Sequence, residues 1–168
     1  MPAPVTWAAY ESPIGELALV TRGHVLLALA FDAPPRDVAA ALCRRLKVEA
    51  VAGRPSPVLR RHLDEYFAGD ITALDRIEAD PAGTPFQRAV WTALRAIPAG
   101  TTTSYQALAK GIGRPNAVRA VGAANGANPV AVVVPCHRVI GAGGSLVGYG
   151  GGLDRKRWLL AHEGVLLW

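Results

Sequence analysis

Cysteine is scarce in this sequence: Cys43 and Cys136 are the two in 168 residues. A pair is too few for a disulfide framework or for a four-cysteine zinc cage. His, Cys, Asp and Glu nowhere recur at ligand spacing, so no metal is expected. No apolar run reaches the roughly 18 residues that a membrane helix needs. Met1-Pro2-Ala3-Pro4 lacks the basic and apolar regions of a secretory signal. A cytoplasmic protein with reduced thiols and no membrane contact is the expectation. Acidic residues nearly vanish from the second half. Residues 83–168 hold Asp154 and Glu163 against nine Lys and Arg, a balance of +7. Residues 1–82 hold nine basic and eleven acidic side chains, a balance of −2. Such asymmetry suits a polyanion-binding face on the second half, although a solvated surface would look the same.

Hydrophobic residues make up 51% and charged ones 18%, which excludes disorder and allows a sizeable core. Val5 to Tyr10, Glu16 to Thr21 and His24 to Phe31 are apolar runs. The turn signals Ser12-Pro13-Ile14-Gly15 and Arg22-Gly23 separate them, as in an antiparallel meander. Pro34-Pro35 ends the third run. Val38, Ala41, Leu42 and Leu46 then recur at helical spacing, as do Leu59, Leu63, Tyr66 and Phe67. Cys43 sits inside the first of these helices, which suits a packed core thiol. Residues 1–82 therefore read as a small α+β scaffold domain, bounded by Asp80-Pro81-Ala82-Gly83.

Thr84-Pro85-Phe86-Gln87 has the form of a capping box with proline at the first helical position. Ser104 is placed to cap a short helix through Lys110, and a further helix is expected over Asn116 to Asn125. Joined by Gly111-Ile112-Gly113-Arg114, these two have helix-turn-helix proportions. The expected fold class is α/β in the broad sense (α+β). A small N-terminal antiparallel sheet with helices precedes a mostly helical, winged-helix-like domain over residues 83–168. The second short helix offers Ala117, Val118, Ala120, Gly122, Ala123 and Ala124, with Arg119 its long polar side chain. Pattern alone favours a tightly packed core helix. The alternative is a helix pressed against the minor groove with one arginine inserted.

Val130 to Val134 reads as a buried strand stopped by Pro135, with Cys136-His137-Arg138 directly after it. A thiol at a strand end beside a histidine and an arginine stands where a thiolate is favoured. Neighbours on extended backbone point to opposite sides, so His137 would reach the thiol through a water or a bend. Glu163 is available to orient the imidazole. A Cys-His dipeptide by itself is weak evidence of catalysis. Gly141 to Gly152 holds seven glycines in twelve positions, with Tyr149 its one aromatic. It lacks the ending of a phosphate-binding loop and the spacing of a dinucleotide fingerprint, and suits either a pocket wall or a plain connector. Asp154 is expected to cap a last helix that runs to Glu163.

Pro135-Cys136-His137-Arg138-Val139-Ile140 resembles the signature of the O6-alkylguanine-DNA alkyltransferases. Ser104-Tyr105-Gln106, Arg119-Ala120-Val121-Gly122, Asn128-Pro129, Gly151-Gly152-Leu153 and Trp158 to Gly164 follow the same family's order and approximate spacing. The resemblance is dense over residues 84–164, and the first 80 match in outline only. It implies direct-reversal DNA repair, in which Cys136 accepts the alkyl group from O6 of guanine in double-stranded DNA, once per molecule and without a cofactor. It implies that His137 takes the thiol proton through a water, that Glu163 polarises the imidazole, and that Asn128 orients the chain. Tyr105 would donate to N3 of the base. The carbonyls of Cys136 and Val139 would accept from its exocyclic amine, the Gly150 amide would meet O6, and Tyr149 would wall the pocket.

The same resemblance implies base flipping from the minor groove. Ala117, Ala120 and Gly122 would lie along the DNA, Arg119 would fill the vacated stack, and Arg138 would join the DNA-binding set. A monomer is expected. Some relatives hold a structural zinc in the first domain, but Cys43, His24 and His62 do not make such a site. Gly150 stands where some relatives carry a hydroxyl, and glycine offers no side chain for that role. Two rival readings differ in chemistry: a non-catalytic module that recognises alkylguanine, and a cysteine hydrolase, which would turn over repeatedly.

Overall fold

Two tight turns organise the start of the chain. Ser12 faces Gly15 across the first, where Gly15 has φ 107° and the Ser12 hydroxyl accepts from the Ile14 amide at 3.2 Å. Strands β1 (Val5–Ser12) and β2 (Gly15–Arg22) pair antiparallel in the register Val5↔Arg22 to Ser12↔Gly15. The second turn uses Gly23 at φ 62°, so His24 lies in the turn and β3 begins one residue later (Val25–Phe31). The computed structural model describes residues 3–166.

A fourth strand, β4 (Ala50–Ala52), pairs parallel to β1 and gives the order β3-β2-β1-β4. The sheet is therefore mixed where the sequence suggested a pure antiparallel meander. Three residues are too few to show a period, so β4 left no pattern to read. Leu17, Ala18, Leu19 and Val20 of the central strand β2 are all buried. Helix α1 (Pro35–Leu46) packs on β1 and β2 with Ala39, Leu42 and Cys43 inward. Pro35 sits in its first turn, so the proline pair both ends β3 and opens α1. Helix α2 (Pro57–Phe67) meets the sheet through Tyr10, whose hydroxyl donates to Asp64 at 2.5 Å.

Residues Met1–Pro81 and Ala82–Trp168 form separate compact units. In the second, Thr84 caps α3 (Pro85–Arg95) with both halves of the capping box made. Ser104 caps α4 (Tyr105–Gly111) by accepting from the Ala107 amide at 3.1 Å. Helix α5 (Val118–Gly126) packs on both α3 and α4, and Trp91 of α3 donates its indole N–H to the Ala124 carbonyl at 2.8 Å. Helix α6 (Leu153–His162) is entered through Gly152 at φ 90°. Asp154, expected as its cap, is instead the second residue of the helix and makes no cap bond. A positive φ at the entry suits glycine, and that moves the cap back two places. The short strands β5 (Thr103–Ser104) and β6 (Val139–Ile140) pair in parallel, which ties the start of α4 to the segment after Cys136. The fold is mixed α and β. Among the described residues no helix is long and apolar enough to cross a membrane.

Gly83 abuts the ring that locks α3 to α5. A Cβ there would stand 2.5 Å from Cη2 and Cζ3 of Trp91, which is 2% exposed and cannot swing aside. Gly83→Ala is expected to cost about 1–3 kcal/mol, the usual range for overpacking. Urea unfolding of the full chain measures it, and an unchanged midpoint would show that the indole gives way.

Candidate active site

Asn128 shapes the segment that delivers Cys136. Its side-chain amide donates to the Val134 carbonyl at 2.7 Å, and its oxygen accepts from the Val130 amide at 3.0 Å. Val134 N–H bonds back to the Val130 carbonyl at 2.9 Å, and Val132 takes φ 71°. The valine run is therefore a closed turn and not the strand its composition suggested. The asparagine consumes backbone groups that a strand neighbour would need. A left-handed valine costs on the order of 1–3 kcal/mol, held in place here by burial of Val132, Val133 and Val134. The chain leaves this turn into a single 3-10 turn, Cys136–Arg138, with all three side chains buried.

Glu163, just past the end of α6, is the hub of the site. Its Oε2 lies 2.8 Å from His137 Nε2, and Arg138 donates from Nε to Oε1 at 2.8 Å and from Nη2 to Oε2 at 3.0 Å. Arg138 Nη1 reaches the Ile97 carbonyl at 2.7 Å. Burial alone would raise the Glu163 pKa, but the hydrogen bonds from His137 and Arg138, with the Arg138 charge, outweigh it and bring it from an ordinary 4.5 to about 2. Burial lowers the His137 pKa against the pull of Glu163, so the imidazole rests neutral. Its Nε2 then carries the proton shared with Glu163. Nδ1 is a buried lone pair that makes no hydrogen bond among the described residues.

The Cys136 thiol is pushed up by burial, with the Asn128 hydrogen bond and the Lys156 charge pulling the other way. It rests protonated, which corrects the expectation of a favoured thiolate. Of the two neighbours that suggested it, the imidazole is neutral and Arg138 is committed to Glu163. Lys156 is buried. Its ammonium donates to the carbonyls of Val139 (2.8 Å) and Val147 (2.7 Å), bolting the glycine-rich segment to the turn that carries Cys136. Helical spacing carried the signal, because Lys156 lies three and four residues before the buried Leu159 and Leu160. Burial raises the Tyr105 phenol, as does the nearby Cys136, against a hydrogen bond from Asn125. Burial and the same thiol raise Tyr149 well above its ordinary value. Both phenols are donors at neutral pH. Among the described residues no group of three His, Cys, Asp or Glu could hold a metal.

Residues 85–165 match the family model described as 6-O-methylguanine DNA methyltransferase, DNA binding domain. A methylated-DNA–protein-cysteine methyltransferase of Mycolicibacterium paratuberculosis is 48% identical over 159 residues, 95% of this chain and 92% of that protein. The chain belongs to this family. The namesake from Salmonella typhimurium is 62% identical over 105 residues, a match that takes in 62% of this chain and 61% of that protein. The OGT structure of Mycobacterium tuberculosis in complex with DNA superposes with a TM-score of 0.78 at 42% identity, over 94% of this chain and 92% of that one.

Within the family's frame, the structure gathers Cys136, His137, Asn128 and Glu163, with Tyr105, Val139 and Tyr149 beside them. Arg138 does not join a DNA surface. It is 1% exposed and fully engaged, because a buried Glu163 needs a cation. Helix α5 divides its small residues. Val121 and Ala124 pack inward, whereas Arg119, Ala120 and Ala123 are exposed, so the helix is not wholly a core element. Ala117 stands at its N-cap, and Gly122 lies against the Tyr105 ring, 3.8 Å from where its Cβ would be. A Cβ at Gly150 would meet nothing within 4 Å, so local packing does not demand glycine there.

Because Glu163 titrates lower in the folded protein than in the unfolded chain, its stabilisation is complete above about pH 5 and is lost as pH falls towards 2. That window is worth about 3 kcal/mol at 1.36 kcal/mol per pKa unit. Glu163→Gln is expected to lower stability at pH 7 by a few kcal/mol, with the gap to the unsubstituted protein closing near pH 2. Urea titrations at several pH values check this, and a gap that does not vary with pH would contradict it.

Proposed function

We propose that this chain repairs DNA by direct reversal, moving a methyl or other alkyl group from O6 of guanine in duplex DNA irreversibly to Cys136. The observation that carries this reading is a buried, protonated thiol followed directly in the chain by a neutral imidazole whose Nε2 is pinned by an ionised carboxylate that Arg138 also holds. His137 Nδ1 takes the thiol proton through a bridging water. Cys136 Sγ then attacks the sp3 alkyl carbon, so that the C–S bond forms as the C–O6 bond breaks. The bonding pair leaves on the guanine, which Tyr105 stabilises by donating to N3. The carbonyls of Cys136 and Val139 accept from the exocyclic amine, the Gly150 amide meets O6, and Tyr149 closes the pocket. Asn128 holds the turn that aims the thiol. A thioether is a poor leaving group, so each molecule reacts once and requires neither metal nor small-molecule cofactor.

The alkylated base is stacked in the duplex and must be flipped out, at a cost of a few kcal/mol. The exposed face of α5 suits entry into the minor groove. Ala117, Ala120 and Gly122 let the helix backbone approach, and Arg119 fills the space the base leaves. The basic residues of the second half other than the buried Arg138 and Lys156 supply attraction to phosphates that weakens as salt rises. The protein acts as a monomer in the cytoplasm. A recognition module without chemistry would have no use for the His137–Glu163 pair beside an intact cysteine.

Intact-mass measurement after mixing with a duplex containing O6-methylguanine is expected to show one added methyl group on Cys136, and none in Cys136→Ala. Binding without any mass change would leave the recognition module standing. Arg119→Ala is expected to slow transfer from duplex at least tenfold while leaving reaction with the free base O6-methylguanine nearly unchanged. Equal losses on both substrates would remove Arg119 from the flipping step.

A further inference from the structure

Alkyl transfer assigns no part to Arg138, yet all three nitrogens of its guanidinium are engaged. Its guanidinium makes a two-pronged fork to Glu163, at 2.8 Å to Oε1 and 3.0 Å to Oε2, and its third nitrogen is tied at 2.7 Å to the Ile97 carbonyl beyond the end of α3. Glu163 Oε2 is shared, because His137 Nε2 meets the same oxygen at 2.8 Å. We infer that Arg138 is a positioning residue for proton transfer. Anchored on Ile97, it holds the Glu163 carboxylate so that Oε2 keeps the proton of His137 on Nε2 and leaves Nδ1 as the base. The inference rests on the reading of His137 as the base for Cys136.

The charge balance gives the reason. A buried carboxylate facing an imidazole with no counter-cation would carry one unit of negative charge out of water, and the pair would recruit a proton to cancel it. Wherever that proton resided, the site would rest already loaded with the proton His137 must accept. Arg138 cancels the charge in advance, so that guanidinium, carboxylate and neutral imidazole sum to zero. Of the other ionisable groups around His137, Lys156 on α6 adds positive charge and disfavours a second proton in the same sense. Cys136 on the adjoining position is protonated at rest. An imidazolium therefore becomes acceptable when a thiolate forms with it, which couples deprotonation of Cys136 to protonation of His137. The fork also sets direction, since a planar guanidinium with two parallel bonds fixes the carboxylate plane as a lysine could not.

The test is the rate of methyl transfer from an O6-methylguanine duplex, followed from about pH 5.5 to 9 for the unsubstituted protein, Arg138→Lys and Arg138→Met. The His137 ring is titrated by NMR in the same proteins, and urea unfolding is run alongside. The unsubstituted protein is expected to keep neutral His137 with its proton on Nε2 at pH 7. In Arg138→Met the acid limb of the rate profile and the His137 titration are expected to rise together by about one pH unit, with the pH 7 rate falling by up to about threefold. Arg138→Lys keeps the charge but loses the fork, so a slower rate with a smaller shift of the limb is expected. A purely structural arginine would lower the unfolding midpoint and leave the limb where it was, and that result overturns the inference. If Arg138→Met does not fold, Arg138→Lys and the native titration decide: a normal rate and profile in Arg138→Lys, or a native His137 that is protonated at pH 7, overturns it. Failure of the unsubstituted protein to take up any methyl group would strike the repair reading instead, with the His137 titration still reporting on Arg138.

Discussion

A carboxylate withdrawn from water must find donors for both oxygens or give up its charge, and the second unit is arranged around that demand at Glu163. The residue is 2% exposed, and its oxygens are met by His137 and by the fork of Arg138. Through Arg138 the network reaches the carbonyl of Ile97, and through His137 it reaches the turn that carries the reactive thiol. The end of α6, the 3-10 turn at Cys136 and the segment after α3 are thereby held by a few short hydrogen bonds. Bonds of this kind are strong where the dielectric is low and costly to break singly, which makes the cluster rigid.

Rigidity and reactivity are in tension at Cys136. Burial excludes water from the sulfur but also raises its pKa, so the thiol rests protonated. The surroundings answer with relays rather than with bulk positive charge. Lys156 and Asn128 offset part of the burial penalty, and the neutral imidazole supplies a destination for the proton.

Helix α5 shows how one element serves two needs. Val121 and Ala124 on its inner side pack against the unit, and the Trp91 indole clamps it there by bonding the Ala124 carbonyl. The opposite side presents Arg119, Ala120 and Ala123 to solvent. Small residues on an outward face gain nothing from burial within this unit. They make sense where another surface must come close to the helix backbone, and that physical argument links the fold to DNA.

The hairpin turns, the two helices of the first unit, the capping box at Thr84, the Ser104 cap and the paired short helices were legible because each rests on local rules: turn glycines, hydrophobic period and side-chain caps. The family motifs likewise located Cys136, His137, Asn128, Tyr105 and Glu163 along the chain. Contacts between residues far apart in sequence were not legible. The valine run at 130–134 reads as a strand by composition, and only the bonds of Asn128 turn it back on itself. Three residues of β4 carry no period. Arg138 reads as one of the DNA-binding set, because a sequence shows charge but not the carboxylate that will bury it. The protonation state of Cys136 belongs with these, since desolvation depends on what the folded chain places around an atom. Sequence by itself determined which chemistry was available and in what order along the chain. Tertiary structure decided which charges are buried and neutralised, because desolvation and counter-charge depend on what the folded chain brings around each group.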